Sequence, residues 1–344
     1  MIDLPSSPKI AIRFPNWLGD LVMALPTLDA LRKALPDAHL TGIVQSPLGE
    51  VLTDHPSLDS LFSFKRPKVN GVKRLFHPLP ECFQSERFDA ILLLTNSFST
   101  AWEARRAAIP VRVGYKKHGR SLLLNPGISI DPSPTRHQVD LYRDLLTPFG
   151  IVPNDLPPHL PVLETARERV SKQLLESQIQ RPLVGINPGA AYGSAKCWLP
   201  ERFREVVAAL TERGIGCVLF GTREMKALNR QISEGIKGPI IDLTGRTTLP
   251  ELVAWIASCD VLLTNDSGPM HVAAAVGTPP VALFGSTSDA KTSPYGLGRV
   301  IHKHVSCSPC YKRTCPIDFK CMRQIGVQEV VSAILDLLDK NSST

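Results

Sequence analysis

Short apolar segments alternate with helical patterns in two successive blocks, and this alternation constrains the fold more than any other feature of the chain. The apolar segments occupy residues 9–14, 39–44, 88–95, 111–114, 183–187, 216–220, 240–243, 260–265 and 280–284. Helices between such strands indicate parallel sheets covered on both faces. We therefore predict an α/β protein with two Rossmann-like, doubly wound domains that face a central cleft at the carboxyl ends of the strands.

A proline-rich stretch at residues 131–161 separates the two blocks. The chain has 344 residues, which is more than one hydrophobic core usually organises. We place the first domain at residues 1–165 and the second at 180–325. The last helix, about residues 326–344, could pack on either domain, and packing on the first is one possibility.

The composition is that of a globular protein, with 43% hydrophobic and 21% charged residues. No apolar segment approaches the roughly 20 residues that cross a bilayer, and the N-terminus has no basic and apolar leader pattern, so we expect a cytoplasmic location. The 39 basic and 32 acidic residues leave a net charge of +7. This excess favours nucleic acid, a phosphorylated metabolite or an acidic membrane surface as partner, or reflects a basic surface with no special partner.

A polar turn, TNDSGP at residues 264–269, follows a buried strand and opens a helix of small residues. Backbone N–H groups and the positive end of the helix dipole form an anion site at such a turn, and Gly268 allows a phosphate to approach. The alternative is that Asp266 or Ser267 only caps the helix.

A second loop, NPGAAYGSAKCW at residues 187–198, also follows a buried strand. Its glycines allow close backbone approach, and Lys196 supplies the positive charge that a diphosphate needs, although loop lysines are usually solvated. Neither loop contains the G-x-x-x-x-G-K-[ST] or G-x-G-x-x-G pattern. The usual ATPase and dehydrogenase fingerprints are therefore missing.

Asp20 follows the first predicted strand, where the ligand cleft is expected. A carboxylate there could accept a proton from a hydroxyl group. The residues alone favour the alternative, an N-cap for a helix beginning near Leu21.

Several short segments together resemble the ADP-heptose:lipopolysaccharide heptosyltransferases of glycosyltransferase family 9, and most closely the heptosyltransferase II members. These segments are NWLGD at 16–20, TNSF at 95–98, NPGA at 187–190, GSAK at 193–196, TNDSG at 264–268 and MH at 270–271. The resemblance covers nearly the whole chain. It implies a GT-B glycosyltransferase with an acceptor-binding N-terminal domain and a nucleotide-sugar-binding C-terminal domain.

The resemblance also implies roles for individual residues. Asp20 matches the catalytic base, Lys196 matches the lysine at the donor phosphate, and Glu224 matches the acidic residue near the donor's ribose or sugar. The other donor-binding residues are Gly189, Thr222, Thr247, Leu249, Asp266, Ser267, Gly268 and His271. The acceptor-binding residues are Asn96, Ser97 and Phe98.

The implied reaction is an inverting transfer of L-glycero-D-manno-heptose from ADP-heptose to the first heptose of heptosyl-Kdo2-lipid A. Heptosyltransferase I or another nucleotide-sugar transferase of this fold is the alternative. A basic nucleic-acid-binding protein is a remote one, because aromatic residues are only 6% of the chain and form no stripe with arginines. We expect no required cofactor, no nucleic-acid partner, and peripheral docking of the basic protein at the inner membrane.

Four cysteines cluster near the C-terminus in the pattern C-x2-C-x4-C-x5-C. They are Cys307, Cys310, Cys315 and Cys321. Plain reduced thiols are the favoured interpretation, and a structural metal site or a redox-labile disulfide are the alternatives. Their basic surroundings could also contact the acceptor's phosphates. The other four cysteines are predicted to be packing residues: Cys82, Cys197, Cys217 and Cys259.

Overall fold

The computed structural model describes residues 2–65, 78, 80–131, 133, 135–152 and 155–342. The chain divides into two compact units, Met1–His159 and Leu160–Thr344. Each unit contains a six-stranded sheet whose paired strands run parallel. Helices between successive strands cover these sheets, which is the doubly wound α/β arrangement predicted from the alternation.

The first unit is built on the strand order β3-β2-β1-β4-β5-β6. Its strands are β1 Lys9–Arg13, β2 His39–Gln45, β3 Ser60–Phe64, β4 Ala90–Leu93, β5 Val111–Tyr115 and β6 Gly127–Ile128. Its helices are α1 Leu18–Met23, α2 Leu25–Ala34, α3 Cys82–Ser85, α4 Phe98–Arg106 and α5 Gln138–Asp144. The order reverses between β1 and β4, so the loops after these two strands flank the switch point where α/β sheets bind ligands.

The second unit repeats this plan with the order β12-β11-β10-β7-β8-β9. Its strands are β7 Leu183–Asn187, β8 Gly216–Leu219, β9 Ile240–Asp242, β10 Val261–Asn265, β11 Pro280–Phe284 and β12 Arg299–His302. Its helices are α6 Glu164–Ser177, α7 Pro200–Thr211, α8 Lys226–Ser233, α9 Leu249–Ala257, α10 Gly268–Val276, α11 Asp289–Thr292, α12 Lys320–Arg323 and α13 Val327–Ser342. The switch point lies between β7 and β10.

The central strands of each sheet are buried on both faces, which explains their continuous apolar sequences. All five residues of β7, β10 and β11 are buried. Helix α7 covers this sheet with the apolar face Phe203, Val206, Val207 and Leu210, as its spacing predicts. Burying each such side chain contributes roughly 1.5–3 kcal/mol.

The structure differs from the predicted domain boundaries at both ends of the second unit. Helix α13 buries Val330, Ala333 and Ile334 in the core of the second unit, so of the two possibilities it packs on the second domain and not on the first. Helix α6 also belongs to the second unit, where Gln173 accepts a hydrogen bond from the Trp255 indole at 3.1 Å. The predicted boundaries leave most of α6 between the two domains. Its sequence is weakly apolar because only a narrow stripe that includes Val170 is buried.

No helix within the described ranges combines the length and the apolar character that crossing a lipid bilayer would need.

Candidate functional site

Two asparagine side chains join the loops that follow β7 and β10. The Asn187 amide nitrogen donates to the hydroxyl oxygens of Thr264 and Ser267, both at 3.0 Å. The Asn265 amide nitrogen donates to the carbonyl of Pro188 at 2.7 Å. The two loops singled out in the sequence therefore lie together at the carboxyl ends of these strands.

A buried ion pair lies at the carboxyl ends of β7 and β10. Lys196 Nζ lies 2.5 Å from Asp266 Oδ2, and the Thr287 hydroxyl donates to the same oxygen at 2.5 Å. The Lys196 side chain is 15% exposed and that of Asp266 is 5% exposed, so water screens this pair poorly. Because a carboxylate repels a phosphate, Asp266 is suited to orienting Lys196, and Lys196 is the group suited to binding an anion.

Helix α10 starts directly after this pair. Ser267 occupies the N-cap position, but its side chain makes no capping hydrogen bond. Since the Asp266 carboxylate faces Lys196 and Thr287, the alternative that Asp266 or Ser267 only caps the helix is wrong. In the first turn of α10, Pro269 has no N–H and the Met270 N–H donates to the Ser267 carbonyl at 3.1 Å, so the Gly268 N–H is the amide of this turn that suits an anion. His271, the fourth residue of α10, is buried.

Gly189 and the loop after β8 lie in close contact. A Cβ atom at Gly189 would lie 2.1 Å from Met225 Cε, so a larger residue here would require the Met225 side chain to move. Met225 belongs to the 3-10 helix Arg223–Met225, which Thr222 precedes. The Thr222 hydroxyl lowers the pKa of the exposed Glu224 carboxyl by hydrogen bonding to it. Glu224 is therefore an ionised hydrogen-bond acceptor at neutral pH.

The loops after β8 and β9 are joined through their backbones. The Gly245 N–H donates to the carbonyl of Gly221 at 2.8 Å. Thr247 and Leu249, at the start of α9, are half-buried. The predicted donor-binding residues of these two loops therefore lie on the same side of the sheet as Lys196, where the carboxyl ends of neighbouring strands meet.

Asp20 lies in the first turn of α1 in the other unit. This helix begins at Leu18 with Trp17 as its N-cap residue, so the prediction of an Asp20 cap for a helix near Leu21 is wrong. The Tyr142 hydroxyl donates to Asp20 Oδ1 at 3.3 Å. Burial raises the pKa of Tyr142 well above its usual value, and the charge of Asp20 adds to this shift. Tyr142 therefore stays protonated and orients the carboxylate.

The segment Asn96, Ser97 and Phe98 follows β4 in the same unit. The Arg120 guanidinium donates to Asn96 Oδ1 at 3.2 Å and to the carbonyl of Thr95 at 2.6 Å. Arg120 is fully buried, and this burial lowers its pKa to about 10. Ser97 is the N-cap of α4, whereas Phe98 is 39% exposed. Asn96 and Ser97 thus have structural partners, and the Phe98 ring is the most available for a ligand.

Sequence reasoning missed the contact between the Lys196 loop and the cysteine segment, residues 307–321. The Tyr192 ring centroid lies 5.1 Å from Lys196 Nζ and 5.3 Å from Arg313 Cζ. The Tyr192 hydroxyl donates to the carbonyl of Tyr311 at 2.7 Å. The basic residues of the segment were the one available signal, but nothing in the sequence indicated which loop they contact.

The four clustered cysteines line one small cavity of about 100 Å³. Cys307 is exposed and Cys321 is buried, and all eight cysteines are free thiols. No three sulphur atoms of this cluster lie within 4.8 Å of one another. Elsewhere, burial raises the pKa of Cys82 to about 11 and that of Cys217 to about 12, as suits packing residues. Cys259 is buried like these two, whereas Cys197 is half-buried.

Comparisons with known proteins agree with this architecture. The profile of glycosyltransferase family 9 (heptosyltransferase) matches residues 77–320. The lipopolysaccharide heptosyltransferase 2 of Escherichia coli strain K12 is 31% identical over 83% of this chain and 85% of its own. The predicted resemblance is confirmed by these matches.

Two solved structures extend the comparison to three dimensions. A glycosyl transferase of family 9 from Veillonella parvula DSM 2008 superposes with a TM-score of 0.85, at 26% identity and 97% coverage of each chain. The E. coli ADP-heptose LPS heptosyltransferase II gives a TM-score of 0.82 at 28% identity, covering 97% of this chain and 99% of its own. The predicted fold class, two Rossmann-like domains of the GT-B type, is confirmed.

Proposed function

Because the chain belongs to glycosyltransferase family 9, the heptosyltransferases, we propose that it transfers L-glycero-D-manno-heptose from ADP-heptose to the first heptose of the lipopolysaccharide inner core. Heptosyl transfer in lipopolysaccharide core synthesis follows from the family and its named relatives. The acceptor, the stereochemistry and the residue roles are the proposal.

The observation that carries the proposal is the buried Lys196–Asp266 pair at the start of α10. When the bond between the anomeric carbon and the diphosphate oxygen breaks, negative charge develops on ADP. A preorganised cation and helix amides stabilise that charge more than they stabilise the intact donor. Lys196, Ser267 and Gly268 supply these groups.

Asp20 is the proposed catalytic base. The acceptor hydroxyl attacks the anomeric carbon on the face opposite to the departing ADP, through a transition state with oxocarbenium character. The new carbon–oxygen bond forms as the hydroxyl proton passes to the Asp20 carboxylate, so the configuration at this carbon inverts. The hydrogen bond from Tyr142 holds the carboxylate in place.

The remaining assignments concern recognition. We assign Glu224 and Thr222 to the ribose or sugar hydroxyls, and Thr247 and Leu249 to the adenine. Gly189 lets the loop approach the donor closely. Phe98 has the exposed ring that suits contact with the acceptor, next to Asn96 and Ser97.

The basic character of the chain supports a location at the inner membrane. A net charge of +7 favours contact with an acceptor that carries phosphates and carboxylates and with anionic lipid headgroups. We propose peripheral docking on the cytoplasmic side. The transfer chemistry itself is assigned to side chains and backbone amides, without a cofactor.

A transfer assay tests the acceptor. Purified protein and ADP-heptose are incubated with Kdo2-lipid A that carries no heptose, one heptose or two heptoses, and products are identified by mass spectrometry. We expect product on the acceptor with one heptose. Product on the bare acceptor instead would make the protein a heptosyltransferase I, and product only on the acceptor with two heptoses would also reject the proposal.

A further inference from the structure

Three side chains with metal-binding atoms converge beside the carboxyl end of β12, outside the donor and acceptor residues. His302 Nδ1 lies 3.1 Å from Asp289 Oδ1, and His304 Nε2 lies 3.4 Å from Asp289 Oδ2. All three ligand atoms lie within 4.8 Å of one another. The residues come from the end of β12, the loop after it and the first residue of α11.

Hydrogen bonding determines which nitrogen of His302 carries a proton. The Ser308 hydroxyl lies within hydrogen-bond distance of the Gly285 carbonyl and 2.9 Å from His302 Nε2. A carbonyl only accepts and a hydroxyl has one hydrogen, so Ser308 donates to Gly285 and accepts from His302 Nε2–H. In the neutral imidazole, Nδ1 is then an unprotonated acceptor.

The Nδ1 atom of His302 faces another hydrogen-bond acceptor. The His302 side chain is 2% exposed, and its Nδ1 has no hydrogen-bond partner among the described residues. Its neighbour at 3.1 Å is a carboxylate oxygen, so two lone pairs face each other in a buried place. Such an arrangement requires a cation, which is either a proton on Nδ1 or a metal ion.

The neighbouring histidine favours the metal ion. A proton on Nδ1 would serve His302 and Asp289 alone, whereas the His304 ring, whose centroid lies 4.0 Å from that of His302, also places its Nε2 3.4 Å from this carboxylate. One ion between the three groups satisfies both imidazoles and the carboxylate. Ligand atoms about 2.1 Å from a metal lie about 3.0 Å apart at a right angle and about 3.4 Å apart at a tetrahedral angle. The two nitrogen–oxygen separations, each to a different oxygen of Asp289, are of this size.

We propose that Asp289, His302 and His304 bind a divalent transition-metal ion of the Zn²⁺ type. Ions of this type bind a set of two imidazoles and one carboxylate more readily than Mg²⁺ or Ca²⁺ does. The ion joins the start of α11 to the loop after β12. Thr287, two residues before Asp289, donates to Asp266 in the ion pair, so the metal stabilises the segment that supports this pair. The site stands independently of the proposed heptosyl transfer.

The experiment uses Co²⁺ as the probe and two matched variants of the full chain. His304 and His118 are both exposed and both have a left-handed backbone, with φ of 42° and 53°, which asparagine tolerates well. His304→Asn removes a ligand, and His118→Asn is the same change away from the site. Metal-free protein with a non-chelating reductant is titrated with Co²⁺ and followed by visible absorption and calorimetry.

We expect wild type and His118→Asn to bind one Co²⁺ without the intense near-ultraviolet charge-transfer band that thiolate ligands produce. His304→Asn should bind this ion about tenfold or more weakly. Asp289→Asn is the second variant and should show the same loss. No Co²⁺ binding by wild type, equal binding by His304→Asn and His118→Asn, or binding only with a thiolate band from the cysteine segment would each overturn the proposal.

Discussion

At the scale of single residues, Asp20 is the proposed base and Lys196 the proposed cation at the leaving diphosphate. Each contacts a partner that the sequence did not reveal. Asp20 accepts a hydrogen bond from Tyr142, and Lys196 is paired with Asp266. These partners allow the role of each residue in catalysis to be separated from its role in folding.

Replacing Asp20 with asparagine keeps the side-chain shape and removes the proton acceptor. We expect the transfer rate to fall roughly 10²–10⁴-fold, because the base is lost, while ADP affinity is unchanged. Initial rates and calorimetric titration with ADP measure the two effects. Asp37→Asn, on an exposed turn, is the matched control. A normal rate in Asp20→Asn would refute the base assignment.

Tyr142→Phe should change how stability depends on pH. Burial raises the pKa of Tyr142 well above its usual value, so the native state keeps this proton while the unfolded chain loses it near pH 10. The stabilisation from the protonated phenol is therefore complete below about pH 10 and declines as the pH rises towards the native pKa. Urea unfolding at about pH 8 and about pH 11 measures this.

Wild type should lose more stability than Tyr142→Phe between these two pH values, by up to about 1.4 kcal/mol per pH unit. Tyr311→Phe, at an exposed position, is the control and should follow wild type. Identical pH dependence in wild type and Tyr142→Phe would count against the burial argument.

Lys196→Ala should reduce both activity and stability, since it leaves the Asp266 carboxylate buried with Thr287 but without a cation. Breaking a buried pair in this way costs about 3–5 kcal/mol. The double variant Lys196→Ala/Asp266→Asn should recover most of the stability but none of the transfer rate. Unfolding free energies and rates distinguish these outcomes, with Lys237→Ala as the exposed control. Recovery of the rate in the double variant would remove Lys196 from the donor site.

At the scale of elements, the quality of the sequence predictions follows burial. The predicted bounds of β7 and β11 match the structure, because strands buried on both faces have continuous apolar sequences. The missed strands β3, β6 and β12 all lie at sheet edges, where one side is unpaired and the apolar signal is weak. Strands were therefore predictable in the sheet centres, whereas of the four edge strands in the described sheets only β9 was predicted.

A glycine substitution tests the contact between the Lys196 loop and the cysteine segment. A Cβ atom at Gly193 would lie 2.3 Å from the backbone oxygen of Arg313, a clash that a side-chain rotation cannot relieve. Gly193→Ala should therefore destabilise the protein and weaken donor binding. Gly214→Ala is the control, since its φ is +75° but nothing lies within 4 Å of the added atom.

We expect Gly214→Ala to cost about 1 kcal/mol from backbone strain alone and to leave donor affinity unchanged. The two variants are compared by urea unfolding and by KM for ADP-heptose. Equal stability and equal KM for both variants would show that the loop does not depend on the segment.

At the scale of the whole molecule, the charge balance leads to a membrane prediction. The net charge of +7 should produce binding to vesicles containing anionic lipid, and little binding to neutral ones. Because the attraction is screened within about 8 Å at physiological salt and about 3 Å at 1 M, binding should weaken as salt is added. Vesicle co-sedimentation measures this. Equal binding to neutral vesicles would point to an apolar contact instead.

The candidate site was only partly predictable from the sequence. Two loops following buried strands were recognisable as anion-binding candidates because their small residues, Lys196 and the helix start lie within short segments. The roles of Thr287 and Arg313 were not, since each acts on a loop far away in the chain. Sequence patterns report what is local, whereas these partners depend on which strands become neighbours in the sheet.

The contact between Gly193 and Arg313 also bears on how members of this family can exchange parts. The backbone oxygen of Arg313 accepts the N–H of Ala195 at 2.9 Å, so the loop at residues 187–198 fits one particular path of residues 307–321. A chimera that receives residues 187–198 from a distant relative and keeps its own residues 307–321 would have two loop surfaces that do not fit each other. Recombination that alters nucleotide-sugar preference should therefore succeed when both segments are exchanged together, so that evolution treats them as one unit.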